Sequence, residues 1–175
     1  HVRRRFIRHP KNRGLTAALR TGFAAAEGEY LTWTPADGQI PFSELAKILA
    51  AWRGEDLILS TYRQRPDGLF RMVMSKTTRL LMWAAIGLID RIEGPYLFRT
   101  ALFKELGLIS DAAAGSIGLE LAAKARARGY RIGTTEIECV PRLSGRSKVA
   151  NLKNILSTLN EIRRIRRSIQ EGKRG

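Results

Sequence analysis

The chain has 175 residues, 44% of them hydrophobic, and 31 Lys or Arg against 16 Asp or Glu, for a formal net charge of +15. That apolar content, with 27% charged residues, argues against a disordered chain, and the length suits one ordinary domain rather than two. One cysteine, Cys139, rules out an internal disulfide framework, and its place in an apolar run suits an inert core thiol; with only His1 and His9 beside it, the sequence offers no zinc-ligand pattern.

The charge sits at the two ends. Residues 1–20 carry seven basic residues and no acid, and residues 142–175 carry ten basic and two acidic residues. The stretch between them is neutral, as expected of a folded body with basic contact surfaces at either end. No continuous apolar region follows the basic start, as a secretory leader would need. The best spanning candidate, Leu80 to Ile89, has ten residues where about twenty are required. The first residue is His rather than Met, which fits a removed start or a fragment.

In chain order, helical spacing of Leu15, Ala18, Leu19 and Ala25 predicts a helix over Asn12 to Ala26, interrupted by Gly14 and Gly22 and stopped at Glu27-Gly28. Tyr30 to Trp33 is a short strand. Thr34 to Ile40 is a loop broken by Pro35, Asp37 and Gly38. Pro41 opens a helix to about Trp52, with Leu45, Ile48, Leu49 and Trp52 on one face. Leu57, Ile58 and Leu59 mark a buried strand within Asp56 to Thr61. Leu69 to Ile89 reads as a long helix, Tyr96 to Phe98 as a very short strand, and Ala101 to Leu106 as one or two helical turns. Ser116 to Arg128 is a helix closed by Gly129, and Tyr130 to Val140 is extended. From Val149 onward, Leu152, Ile155, Leu156, Leu159, Ile162, Ile165 and Ile169 form one apolar stripe. Arg163, Arg164, Arg166 and Arg167 make the same helix basic and amphipathic. The order of elements predicts an α/β fold, a partly parallel sheet flanked by helices, with only two or three convincing strands.

Ligands of open α/β sheets bind beyond the carboxyl ends of strands. Asp37 and Gln39 follow such an end and offer oxygens to one hard cation, Mg²⁺ or Mn²⁺; Asp37-Gly38 is equally an ordinary turn. Arg63, Arg65 and Arg71 follow the second strand and suit phosphate oxygens, or form a solvated charged loop. Glu120 sits on a small, apolar helix, either at an exposed margin or directed into a site. Arg142, Ser144, Arg146, Ser147 and Lys148 surround Gly145 in a cationic, hydroxyl-rich loop suited to a phosphate or a lipid headgroup.

Taken together, several segments resemble the family 2 glycosyltransferases, and within them the polyprenyl- or dolichyl-phosphate mannose or glucose synthases. These are Asn12-Arg13-Gly14-Leu15 with Gly22, Ala36-Asp37-Gly38-Gln39, Gly94-Pro95-Tyr96-Leu97-Phe98-Arg99, the Glu120 helix with Gly129-Tyr130-Arg131-Ile132, and Arg142 to Lys148. The resemblance covers nearly the whole chain and departs from the family at two points. The family's nucleotide-binding strand, helix and strand ending in Asp-Asp-Gly-Ser have no counterpart here, and Pro35 replaces the first acid of the Asp-x-Asp pattern.

The resemblance implies the C-terminal two-thirds of a GT-A fold, with residues 1–148 as an incomplete catalytic domain and 149–175 as a basic amphipathic helix. It implies inverting transfer of a hexose from GDP-mannose or UDP-glucose to a polyprenyl phosphate by a full-length parent, at the cytoplasmic face of a membrane. The fragment alone is expected to be inactive, and an inactive paralogue is an alternative. Mg²⁺ or Mn²⁺ would be held by Asp37 and Gln39. Arg63, Arg71, Arg142, Ser147 and Lys148 would hold phosphates. Asp90 and Glu120 would line the sugar or brace the arginines. The last helix would meet an anionic membrane surface, or else pack its stripe on the body. A nucleic-acid-binding module would also suit the charge, but no recognition motif for one is present, and no nucleic acid is expected as a partner.

Overall fold

The computed structural model describes residues 4–63, 83, 87, 91–111, 116–140 and 152–172, with side chains of the last segment from residue 160. The elements are α1 (Gly14–Ala24), β1 (Tyr30–Thr32), α2 (Phe42–Ala51), β2 (Leu57–Tyr62), β3 (Leu97–Arg99), α3 (Thr100–Glu105), α4 (Ile117–Ala127), β4 (Ile132–Ile137) and α5 (Leu152–Glu171). The predicted long helix over Leu69 to Ile89 lies outside the described residues, apart from Trp83 and Gly87.

The strands form one sheet in the order β1-β3-β2-β4. β3 runs antiparallel to both β1 and β2, whereas β2 and β4 are parallel over six residue pairs, from Leu57–Ile132 to Tyr62–Ile137. β1, β2 and β4 therefore point the same way and end at one edge. This is the partly parallel sheet expected from the sequence, with four strands rather than two or three.

β2 is central, which explains its unbroken apolar run. Leu57 and Leu59 face one layer, Ile58 faces the other, and all are 2% exposed or less. β4 is an edge strand in this sheet, and its burial is mostly partial. On the larger face, Phe23 of α1 is the hub, meeting Tyr96, Phe98 and Phe103 edge to face at centroid distances of 6.3, 5.2 and 5.7 Å. Edge-to-face contact suits the ring quadrupoles and adds about 0.5–1.5 kcal/mol per pair beyond burial. α4 fills the same layer, with every residue from Ile117 to Ala125 buried. Its small residues let it come close. A Cβ on Gly118 would lie 2.7 Å from Tyr96 Cε1.

On the other face the cluster of Ile40, Ile48, Ile58, Leu97 and Ile137 is closed by α2. Pro41 stands at the N-cap of α2 with extended backbone, where its missing N–H costs nothing. Gly22 does not break α1, which runs through it.

α5 belongs to the body. Ile162 and Ile165 are buried in the Phe23 cluster, and Ile169 packs against it. Glu161, 4% exposed, accepts hydrogen bonds from the Asp111 amide at 2.9 Å and the Ser116 hydroxyl at 3.3 Å. Arg164 pairs with Asp111 at 2.8 Å. Residues 162–169 thus share a core with what precedes them, and over these residues the packing alternative for the stripe is the one realised. No helix among the described residues is long and apolar enough to cross a membrane.

Candidate functional site

The carboxyl ends of β1, β2 and β4 converge on one rim. β1 is followed by a turn in which Asp37 Oδ1 accepts the Gln39 amide at 3.1 Å. Gly38 has φ of +72°, a left-handed conformation that glycine adopts without a Cβ penalty. Asp37 is exposed. Gln39 turns toward the end of β4. Its carbonyl accepts the Val140 amide at 3.0 Å, and its side-chain Nε2 donates to the Val140 carbonyl at 3.4 Å and approaches Cys139 Sγ at 3.9 Å. The turn after β1 and the segment after β4 are therefore locked together.

α2 adds a second fastening. Glu44, 3% exposed, accepts the Glu138 amide and Lys47 Nζ, each at 2.8 Å. Burial alone would raise its carboxyl. The Lys47 and Glu138 hydrogen bonds and the Lys47 and Arg63 charges outweigh it and hold the group below its ordinary value.

Arg63 ends β2. Its amide donates to the Ile137 carbonyl at 3.0 Å, and its exposed guanidinium lies 3.7 Å from Glu136. Glu93 sits beside it, accepting the Tyr62 amide at 3.0 Å and pairing with Arg91 at 3.0 Å. Behind the turn, Trp33 Nε1, Thr34 Oγ1 and Tyr96 OH are buried and make no hydrogen bond of standard geometry among the described residues, while the Trp33 and Tyr96 rings meet edge to face at 5.8 Å. Burial pushes the Tyr96 phenol well above its usual range, so it is neutral and can donate.

Glu120 is found in neither of the two expected settings. It is 0% exposed. Its carboxylate accepts the Ile109 amide at 2.8 and 2.9 Å and the Ser110 amide at 2.7 Å, and it pairs with Lys124 at 2.7 Å. Lys124 also donates to the Gly107 carbonyl at 2.7 Å. The pair therefore staples the connection after α3 to α4, because both backbone amides and the cation need a buried anion.

The structure brings Asp37, Gln39 and Arg63 to one rim. Arg65, Arg71, Asp90, Arg142, Ser144, Arg146, Ser147 and Lys148 lie outside the described residues. A separate hollow of about 540 Å³ between α1 and the α3 side is lined by Arg13, Arg20, Thr21, Phe103 and Asp111 among others, and by none of the expected site residues. The residues that sequence reasoning missed are Glu44 and Glu93. Glu44 had a signal, an acid on the inward face of an otherwise apolar helix.

Among the described residues no three His, Cys, Asp or Glu side chains gather to enclose a metal ion. A lone exposed carboxylate still fits Mg²⁺ or Mn²⁺ shared with diphosphate and water, since such ions often take one or two carboxylates plus substrate oxygens. Gln39 would meet such an ion through Oε1, its amide nitrogen being the atom directed at Val140.

A partly parallel sheet flanked by helices, with an acidic turn at its carboxyl edge, is part of a GT-A glycosyltransferase fold. Residues 1–116 match the family model for glycosyl transferase family 2, and the chain belongs to that family. No curated protein sequence matches it. Among solved structures it is similar to glucosyl-3-phosphoglycerate synthase from Mycobacterium tuberculosis in complex with uridine-diphosphate, at 20% identity and a TM-score of 0.58 over 88% of this chain and 57% of that one. The same synthase with Mn²⁺, uridine-diphosphate and phosphoglyceric acid matches at 18% identity and 0.61, over 88% and 56%. At these identities the likeness is one of fold, and the chain spans little more than half the length of those structures.

Proposed function

We propose that this chain is part of an inverting hexosyltransferase that moves a sugar from GDP-mannose or UDP-glucose to a polyprenyl phosphate at a membrane surface. The observation that carries the reading is the Gln39–Val140 clamp, which ties the acidic turn to the strand end that leads into Arg142 to Lys148. The acid proposed for the donor diphosphate thereby lies beside the point from which the chain continues to the cations proposed for the acceptor phosphate.

In this reading an oxygen of the acceptor phosphate attacks the anomeric carbon, and the bond from that carbon to the donor diphosphate breaks with inversion. The attacking group is already an oxyanion, so no strong general base is needed. Mg²⁺ or Mn²⁺, when bound at Asp37, neutralises charge on the leaving diphosphate. Arg63 and Arg71 steady the donor phosphates, Arg142, Ser147 and Lys148 close on the acceptor phosphate, and Asp90 meets the sugar. Glu120 acts at a distance, by holding the 107–110 connection.

A soluble phosphorylated acid is the second reading for the acceptor. It is favoured by the fold likeness to a synthase crystallised with phosphoglyceric acid. A non-catalytic paralogue is the third, favoured by Pro35. The test uses the full polypeptide with each nucleotide sugar, offered polyprenyl phosphate or phosphoglyceric acid, with products read by mass spectrometry. Lipid-linked sugar should form, and Asp37→Asn should lower its rate by about a hundredfold or more. Near-normal turnover of Asp37→Asn, transfer to the soluble acid alone, or no transfer at all rejects the reading.

A further inference from the structure

The proposed reaction leaves residues 4–13 and the arginines of α5 without a role, and the structure joins these two basic runs. Residues 4–13 fold back along α1. Arg5 reaches Glu27 at 3.8 Å. The Thr21 hydroxyl donates to the Ala17 carbonyl at 3.0 Å, so His9 Nε2, 2.9 Å away, donates to that hydroxyl. Further along the same helix face, Arg20 donates to the Leu108 and Ser110 carbonyls at 2.8 and 3.3 Å. The next residue, Asp111, takes Arg164 of α5 at 2.8 Å and gives its amide to Glu161 at 2.9 Å. Arg13, Arg20 and Asp111 line one hollow of about 540 Å³. Runs from opposite ends of the sequence therefore lie on one face.

Most of the charge on that face is open to a partner. Arg8, Lys11 and Arg13 are exposed, as are Arg163, Arg166 and Arg167, and none of the six has an acidic partner among the described residues. On α5 the cause is periodicity: Ile162 and Ile165 are buried, so the arginines between and after them face water. Cations alone would suit any polyanion. Phe6 and Ile7, exposed by 94% and 47% between Arg5 and Arg8, narrow the choice. Ile7 has no π-face to lay on a base, whereas both side chains bury apolar area at the boundary between headgroups and acyl chains. Arginines on either side of them match an anionic leaflet.

We propose that residues 4–13 and the arginine side of α5 form a single docking face for an anionic bilayer, with Phe6 and Ile7 entering its surface. α5 begins at Leu152, four residues after Lys148, so the docked helix continues into the cations proposed for the acceptor phosphate. The proposal rests on the reading of a lipid-linked acceptor and says which face of the protein meets the lipid.

The test uses the whole 175-residue chain and sedimented vesicles of phosphatidylcholine with or without phosphatidylserine. Binding should require phosphatidylserine and fall as salt is raised. Arg8→Gln with Lys11→Gln and Arg13→Gln should weaken it by about a hundredfold, and so should Arg163→Gln with Arg166→Gln and Arg167→Gln. Phe6→Ser should weaken it by about tenfold. These positions are exposed, so circular dichroism should not change. Loss with one triple substitution but not the other overturns the proposal. So does an equal loss for Arg53→Gln with Arg126→Gln and Arg131→Gln, three exposed arginines elsewhere on the body. Mixed-sequence duplex DNA that strips the chain from vesicles at equal phosphate concentration also overturns it, by assigning the face to nucleic acid. The vesicles contain no polyprenyl phosphate, so binding and sugar transfer are read separately. Binding without transfer by the full polypeptide removes the lipid acceptor and leaves the face, whereas transfer without vesicle binding removes the face alone.

Discussion

Replacing Glu120 with Gln tests whether this acid is a brace or a sugar ligand. The carboxylate is fully enclosed, accepts two backbone amides and faces Lys124, whose side chain is 6% exposed. Gln keeps the shape but removes the charge, leaving Lys124 with the Gly107 carbonyl alone. Its NH₂ group would also confront donors. Removing one member of a buried pair costs about 3–5 kcal/mol, a large share of the roughly 5–15 kcal/mol that holds a domain together. Urea unfolding followed by circular dichroism should show the midpoint of Glu120→Gln falling accordingly. The double substitution Glu120→Leu with Lys124→Met should recover more than half of the loss, because an apolar pair leaves no charge stranded. A loss below about 1 kcal/mol for Glu120→Gln, with catalysis nonetheless impaired, would refute the bracing argument and return Glu120 to the sugar.

Two glycines give opposite expectations. Gly118→Ala drives a methyl into Tyr96 and should cost about 1–3 kcal/mol. Gly22→Ala meets nothing within 4 Å inside α1 and should stabilise by roughly 0.5–1 kcal/mol; equal effects in thermal melts would contradict the packing. Glu44 has a pH signature. Its folded carboxyl titrates below the ordinary 4.5, so its contribution is complete above that value and is lost as pH falls through the lower folded value. The stability gap between wild type and Glu44→Gln should therefore be full at neutral pH and shrink on acidification; a gap independent of pH in urea titrations would rule this out.

Local pattern served well where one cause sets the structure. The Leu57–Leu59 run is apolar throughout because β2 has a layer on each side, and the Asp37-Gly38 turn announces itself through a residue that tolerates positive φ. Of the candidate site, residue chemistry named Asp37, Gln39 and Arg63, but the direction of Gln39 depends on Val140, a hundred residues away, and no spacing encodes that. Glu120 stayed open because an acid among alanines looks alike whether it faces a ligand or two backbone amides. The stripe on α5 stayed open between a membrane and the body for a related reason: periodicity fixes that a face is apolar, not what covers it. The antiparallel setting of β3 was out of reach, since its direction follows from the connection before it rather than from Leu97, Phe98 and Arg99.

The anchoring of α5 also bears on how the chain matures during synthesis. Ile162 and Ile165 complete a cluster begun by Phe23, and Glu161 fastens the turn between α3 and α4. Until residues 162–165 dock, part of the Phe23 cluster lacks its cover, and that apolar side is a surface a chaperone would hold.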